Sequence, residues 1–218
     1  MRRGEGIMAG LVEEVASVLR ERIYAGRIAP GGSLRQEPLA AELGVSRTPL
    51  REAIRLLEQD GLVRVDPRHG ARVVTGDRAT LLRAYELRAV VDGLAARLAA
   101  RARPGAARVR ELHAILAAQR AALDPWDARA YTVANVDFHE QLLHLSGNEF
   151  LVDRAPLLRM TAQVFGPVAL LDPAGARRAV TEHAGIVDAV AAGDEDAAER
   201  LARAHVEATI DALRGGTG

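Results

Sequence analysis

Residues 46–61, SRTPLREAIRLLEQDG, leave the backbone little choice. Ser46 can accept a hydrogen bond from the first N–H groups of a helix, and Pro49 falls in the first turn, where its missing N–H costs nothing. Gly61 stands where a helix that ends in a left-handed turn needs a residue without a side chain. Leu50, Ile54 and Leu57 recur at helical spacing and, with Leu62, give the segment one buried side. Its flanks are equally punctuated. QEPLAAEL predicts a short helix closed by Gly44, and Leu11, Val15, Val18, Leu19 and Ile23 predict a longer one from about Ala9 to Tyr24, before GRIAPGGSL breaks the chain. Downstream, LVRVDPRHGARVV alternates at Val63 and Val65 around a Pro/His/Gly turn, the pattern of two short strands. Helix, helix, tight turn, helix and two-stranded wing is the order that sets its last helix in the major groove of DNA, with the wing near the backbone or minor groove.

The chemistry of that helix agrees with the geometry. Arg47, Thr48 and Arg51 crowd its N-terminal turn, and Arg47 and Arg51, four apart, share a face. Arginine pairs bidentately with guanine O6 and N7, threonine bonds base edges or phosphate, and a helix N-terminus favours phosphate. All 29 basic residues of the 218-residue chain are arginine, against 29 acidic ones, so the net charge is zero and no polycationic coat attracts nucleic acid at large. The bias is slight: residues 1–75 hold 12 Arg and 10 Asp+Glu, whereas 76–218 hold 17 and 19. Absence of cysteine removes disulfides, thiolate metal sites and cysteine nucleophiles together, and fits a reducing compartment. No apolar run has the length of a signal peptide core or of a membrane span, so a soluble, cytoplasmic protein without a membrane partner is expected.

Beyond VVTGDRAT (73–80) the pattern changes to long amphipathic stretches. Leu81, Tyr85, Leu87, Val91, Leu94 and Leu98 predict one helix from Asp77 to Arg103. Further stretches run at about 106–122, 128–146, 149–170, 174–192 and 195–214, with breaks at DPWD, SGN, LDPAG and AGDED. Six helices with short connectors make an antiparallel bundle, which commonly places polar sites inward between facing helices. With aromatics at only 3%, the core must be built from Ala, Leu and Val.

Within NVDFHEQLLHLSGN (135–148), Asn135 and His139 project from one side of their helix, whereas Asp137 lies about 200° around at 3.6 residues per turn. Asp137, Glu140 and His144 are read as outer-face or packing residues. His183 and His205 lie on the last two helices beside Ile186, Val187 and Val206. Each histidine alone is explained as a core residue bonded to a carbonyl; three on three helices, one with an oxygen ligand four residues earlier, point instead to a metal, and spacing alone leaves both readings open.

Two resemblances now enter. SLRQEPLAAELGVSRTPLREAIRLLEQDGLVRVDPRHGARV resembles the winged helix-turn-helix of the GntR family of transcriptional regulators. This implies that Ser46, Arg47, Thr48 and Arg51 contact operator bases and phosphates, that His69 and Gly70 at the wing tip approach the minor groove, and that Arg35 touches phosphate. YELRAVVDGLAARLAA, NVDFHEQLLHLSGN and TEHAGIVDAVAAGDEDAAERLARAHV resemble the FCD effector-binding domain of the FadR branch. That likeness implies a metal held by Asn135, His139, His183 and His205, and an effector carboxylate held by Arg88; the bland alternative for Arg88 is an exposed ion pair with Asp92. Asn135 departs from the pattern, which most often has Asp there. Either three histidines keep the metal with the amide as a weak fourth ligand, or the pocket binds its effector without metal. Neutral ligands alone would leave the ion's charge uncompensated and favour an anionic effector such as a small carboxylic acid.

The expectation is a mainly α protein with a winged helix-turn-helix at 1–75 and a helical effector-binding and dimerisation domain at 76–218. It would bind double-stranded operator DNA as a homodimer, since two half-sites need two recognition helices. A divalent transition metal of Zn, Ni or Mn type would sit in its pocket, which would answer to a small carboxylate metabolite. Two rivals stand beside it: a module with a metal-free bundle serving its effector or dimerisation, and a metal-dependent enzyme with Glu140 or Glu182 as base. No nucleophile or carboxylate pair supports the enzyme, and a DNA-reading half would then have no purpose.

Overall fold

The short segments of the first half fold where their punctuation sets them. The computed structural model describes residues 2–66, 68–164 and 172–215. The chain divides into two compact units, one within Met1–Gly76 and the other within Asp77–Ala162 and the helices that follow.

In the first unit, α1 (Arg2–Tyr24) buries Val15, Ala16, Leu19 and Ile23. It runs back beyond Ala9 to Arg2 because apolar periodicity marks only the packed part of a helix. α2 (Gln36–Leu43) ends in a left-handed Gly44, φ +66°, with Val45 N–H bonded to the Ala40 carbonyl at 3.0 Å. α3 (Arg47–Gln59) ends the same way: Gly61 has φ +75° and Leu62 N–H reaches the Leu57 carbonyl at 2.9 Å. These six-to-one bonds satisfy carbonyls that would otherwise be orphaned, and they make both turns tight. Ser46 does occupy the N-cap position, but its hydroxyl makes no capping bond. The strands β1 (Val63–Asp66) and β2 (Gly70–Val73) pair antiparallel, Val63 opposite Val73 and Arg64 opposite Arg72. Val63, Ala71 and Val73 are buried, whereas Val65 is 42% exposed where the ribbon projects beyond the packed helices. Of the turn read as Pro/His/Gly, Pro67 lies outside the described residues.

The second unit is a helical bundle of α4 (Arg78–Arg101), α5 (Ala106–Ala121), α6 (Ala128–Leu145), α7 (Glu149–Val152), α8 (Ala155–Arg159), α9 (Pro173–Ala192) and α10 (Glu195–Gly215). Asp77, Asp127, Asn148 and Asp172 cap α4, α6, α7 and α9 with side-chain oxygens. The core is lined with small residues: Ala95, Ala96, Ala99 and Ala100 of α4 meet Phe138 and Leu142 of α6, Val187 and Val190 of α9, and Ala198 and Ala202 of α10. Here the expected stripe is corrected. Leu87 and Leu94 are 51% and 38% exposed, because α4 turns its alanine face inward, where helices approach closely, and its larger side chains outward.

A second correction concerns 149–170. The stretch is not one helix: it turns at Asp153–Arg154, restarts as α8 and loosens into a π-helical turn at Met160–Val164. Pro156 has no N–H to give the Val152 carbonyl, so a straight helix cannot pass. Residues 165–170 of that stretch lie outside the described residues.

Candidate functional site

Two surfaces carry chemistry. On the first unit, Ser46, Arg47 and Thr48 open α3 with all three side chains exposed, and Arg51 follows on the same side. The first turn contains no acidic residue, so nothing on the helix itself neutralises the positive end of its dipole. Arg47 lies 3.1 Å from Glu37 and Arg51 3.9 Å from Glu52, both pairs open to solvent and weak. Arg35 is exposed just before α2. At the wing tip the Asp66 carboxylate accepts the N–H groups of Arg68 (2.7 Å) and His69 (2.9 Å) and faces His69 Nδ1 at 3.1 Å. Gly70, φ +73°, follows in a conformation that few other residues adopt. Arg64 and Arg72 were not singled out in the sequence. They stand directly opposite each other on the ribbon, a like-charge pair that disfavours the sheet unless an anion lies over it. Arg72 also donates to the Gly31 carbonyl at 3.0 Å.

The other site is inside the bundle. A cavity of about 330 Å3 is lined by Tyr85, Arg88, Tyr131, Asn135, His139 and His205, among others, with Arg178 and Glu182 from α9 and Asp172 from its N-cap. His139 of α6, His183 of α9 and His205 of α10 are brought together, each offering a ring nitrogen within 4.8 Å of the others. All three are buried, and His183 lies fully so. Asp137 and His144 are exposed, and Glu140 is a buried packing residue paired with Arg159.

The groups behind the histidines decide which nitrogens are free. Gln119 of α5 donates its amide N–H to the Ala134 carbonyl (3.0 Å), so its Oε1 must accept from His183 Nδ1 (2.9 Å). Turning the amide round would set two oxygens against each other. Glu182 Oε2 lies 2.7 Å from His205 Nδ1 and accepts its proton. Both rings are therefore protonated at Nδ1 and carry a lone pair at Nε2, and these two Nε2 atoms face each other at 3.1 Å. Two lone pairs at that separation repel unless a cation lies against both. Burial drives the basicity of His183 well below that of an ordinary imidazole, with His205 and His139 adding to it, so a proton is poorly held on the His183 ring. Burial likewise brings His139 down to about 4, although Asp92 pulls the other way. Neutral, converging imidazoles fit a divalent ion of borderline type.

Arg88 is where the exposed-pair alternative fails. Its ion pair with Asp92 exists at 3.0 Å, but both side chains are buried, 3% and 2% exposed. Arg88 also donates to Thr161 Oγ1 at 3.2 Å, and its Nε has no hydrogen-bond partner among the described residues. The same Asp92 Oδ2 lies 3.2 Å from His139 Nδ1, close enough for attraction yet off the line of a good hydrogen bond. Burial alone would raise the Asp92 carboxyl; Arg88, then His139, override it and hold it down to about 2. Asp92 is thus an ionised, buried carboxylate at the site. Burial raises Tyr85 and Tyr131, which stay phenols.

Comparison with known proteins joins the two surfaces. The gntR family of bacterial regulatory proteins matches residues 11–73, and the FCD domain matches 83–208. A transcriptional regulator of the HTH type from an unstable DNA locus of Streptomyces ambofaciens is 33% identical over 88% of this chain and 80% of its own. The probable D-xylose utilization operon transcriptional repressor of Paenarthrobacter nicotinovorans is 31% identical over 91% and 88%. Among solved structures, a GntR regulator of Rhodococcus sp. RHA1 superposes with a TM-score of 0.77 at 26% identity, covering 95% of this chain and 99% of that one. McbR/YncC of E. coli reaches 0.80 at 22% identity, covering 94% and 97%, a likeness of fold. These relatives are regulators of transcription and not enzymes, and no described helix is long and apolar enough to cross a membrane. With a winged helix-turn-helix followed by an FCD effector domain, the chain belongs to the GntR family of bacterial transcriptional regulators, in its FadR-like branch.

Proposed function

We propose that this regulator reads a short inverted repeat as a homodimer and releases or grips it according to a small carboxylic acid sensed at a metal-containing pocket of the bundle. The observation that carries the sensor is the approach of His183 Nε2 and His205 Nε2 to 3.1 Å with both Nδ1 protons already committed. His139, His183 and His205 would hold the ion, and Asn135, which lines the same cavity, would add a weak amide oxygen. A bound ion supplies a Lewis-acidic position for an anion. Arg88, which lines the same cavity and whose buried Nε has no hydrogen-bond partner among the described residues, would bind the effector carboxylate.

On DNA, Arg47, Thr48 and Arg51 would meet base edges and phosphates in the major groove, while Ser46 and the free N–H groups of α3 bind phosphate. His69 and Gly70 would enter the minor groove, with Arg35, Arg64 and Arg72 along the backbone. The two sites must act on each other reciprocally: an effector that weakens operator binding is itself weakened by operator to the same factor. The test uses untagged protein, assayed for bound metal and then titrated with operator fragments in the presence and absence of chelator and of a panel of small carboxylates. Bound metal in about one equivalent per chain, lost in His139→Ala, is expected. Protein free of metal, with operator affinity indifferent to chelator and to every acid, would overturn the sensing role.

A further inference from the structure

Position 135 holds an amide, so every first-contact donor of the proposed metal site is neutral. Close by, however, lies the cation of Arg88, paired at 3.0 Å with the same Asp92 oxygen that stands 3.2 Å from His139, and its charge would repel a divalent ion. A site with three neutral imidazoles, an amide and a neighbouring guanidinium should be a poor place for a dication. Its surroundings answer that difficulty. Two of the histidines bond Nδ1 to an acceptor on another helix, His183 to Gln119 of α5 (2.9 Å) and His205 to Glu182 on the preceding helix α9 (2.7 Å), while His139 Nδ1 lies 3.2 Å from Asp92 of α4, a charge contact off the line of a hydrogen bond. Two of these three groups are carboxylates. Asp92 additionally pairs with Arg88 through the same oxygen that faces His139, so it screens the guanidinium from the cluster and attracts the imidazole at once. Its other oxygen has no partner among the described residues, which is an expensive arrangement for an ion pair that serves only to hold the bundle together.

We infer that Asp92 and Glu182 are the metal-positioning residues of this chain: they supply from behind His139 and His205 the negative charge that Asn135 does not supply at the ion. The inference rests on the metal reading given above. Gln119 performs the same orienting task at His183 without charge. Carboxylates behind ligating histidines fix the ring tautomer and raise ligand basicity, and their removal commonly weakens metal binding by about ten- to a hundredfold. Relocation of the charge also has a consequence that simple orientation does not. A carboxylate restored at position 135 should make the distant ones less necessary.

The experiment is a double-mutant cycle on full-length, chelator-stripped protein, with Zn2+ alone as probe in competition with a chromophoric chelator. Wild type, Asp92→Asn, Asn135→Asp and the double variant are compared, and a second cycle replaces Asp92→Asn by Glu182→Gln. Asp92→Asn should weaken Zn2+ binding by about ten- to a hundredfold and Glu182→Gln by less, since Glu182 is half-exposed. Asn135→Asp should strengthen it, and in that background each second substitution should cost markedly less than in wild type, a non-additivity that marks shared work. The visible spectrum of the Co2+ form should stay unchanged in Asp92→Asn, because the ligands are the same. Unaltered Zn2+ affinity in either variant, or strictly additive cycles, would overturn the inference, as would a fall in melting temperature with no change in affinity. If Asp92→Asn does not fold, the Glu182 cycle decides alone. Wild-type protein that takes up no Zn2+ at all would instead refute the metal reading on which this rests.

Discussion

Arg51 and Arg88 are the same residue type, each on a helix and each with a carboxylate within reach, yet they work under opposite conditions. The Arg51 side chain is 58% exposed and its nearest carboxylate, on Glu52, lies 3.9 Å away. Arg88 is 3% exposed and bonded at 3.0 Å to Asp92. In water a charge costs little to keep and little to lose, and it stays free to meet a phosphate or a base edge. In the bundle a charge must be compensated in place, and its partner becomes part of whatever the site does. The exposed face of α3 can therefore change residue by residue, whereas the buried cluster of the bundle is a coupled unit in which removing one member strands the next.

The largest consequence should appear at Asp92. Asp92→Ala leaves Arg88 buried without a counter-charge, and urea unfolding of metal-free protein should show a loss of about 3–5 kcal/mol. A loss under about 1 kcal/mol would mean that the Arg88–Asp92 pair is far better hydrated than its burial implies. Acid should find the same weakness. In the metal-free protein His139 titrates at about 4 against 6.5 unfolded, so the unfolded chain takes up its proton first as pH falls. The stability that His139 contributes is thus complete above about pH 6.5 and is lost between there and about 4. Between pH 7 and 5 this comes to roughly 2 kcal/mol at 1.36 kcal/mol per unit, with His183 acting in the same direction. Asp92, held down to about 2 from 3.8, adds its loss only below about pH 4. His139→Gln should flatten the slope from pH 7 to 5, and an unchanged slope would remove His139 from the account.

On the reading head the same change of charge should hardly touch folding. Arg51→Ala should leave unfolding within about 0.5 kcal/mol of wild type, yet weaken operator binding by about 1–3 kcal/mol if it pairs with a base. The salt dependence separates the alternatives. A base contact leaves the slope of log K against log salt nearly unchanged, whereas a phosphate contact lowers it by about one. Operator affinity unaffected at every salt concentration would take Arg51 out of the interface.

This contrast also explains what could be read in advance. α2, α3 and the wing are set by local punctuation, Gly44, Pro49, Gly61 and the alternation at Val63; the structure places α2 to the residue, ends α3 one residue early at Gln59, and confines the strands to Val63–Asp66 and Gly70–Val73. The three histidines were legible as polar residues beside apolar partners on separate helices, and the resemblance to the FCD domain, not the spacing, joined them into one site. The acceptors behind them were not: Asp92 appeared only as a neighbour of Arg88 and Glu182 only as a candidate base, while Gln119 carried no signal at all, since it meets His183 across 64 positions of sequence. The alanine face of α4 was hidden for a related reason. Periodicity weighs the large side chains Leu87 and Leu94, whereas close helix packing selects the small ones, and only tertiary packing shows which won.

Ser46 should show the smallest effect on stability and the most telling division between the two kinds of work. A serine at the N-cap ordinarily bonds an N–H in the first turn, and its replacement by alanine costs about 1 kcal/mol. Here the hydroxyl makes no such bond and is exposed at the mouth of α3, beside Arg47 and Thr48. Ser46→Ala should therefore cost the fold less than about 0.5 kcal/mol by chemical unfolding. The hydroxyl remains free to donate to a phosphate oxygen, and the variant should bind operator about tenfold to a hundredfold more weakly, the loss of one hydrogen bond to a charged group. A full capping penalty with no change in operator affinity would reverse the assignment, making Ser46 a residue of the fold in solution and not of the DNA surface.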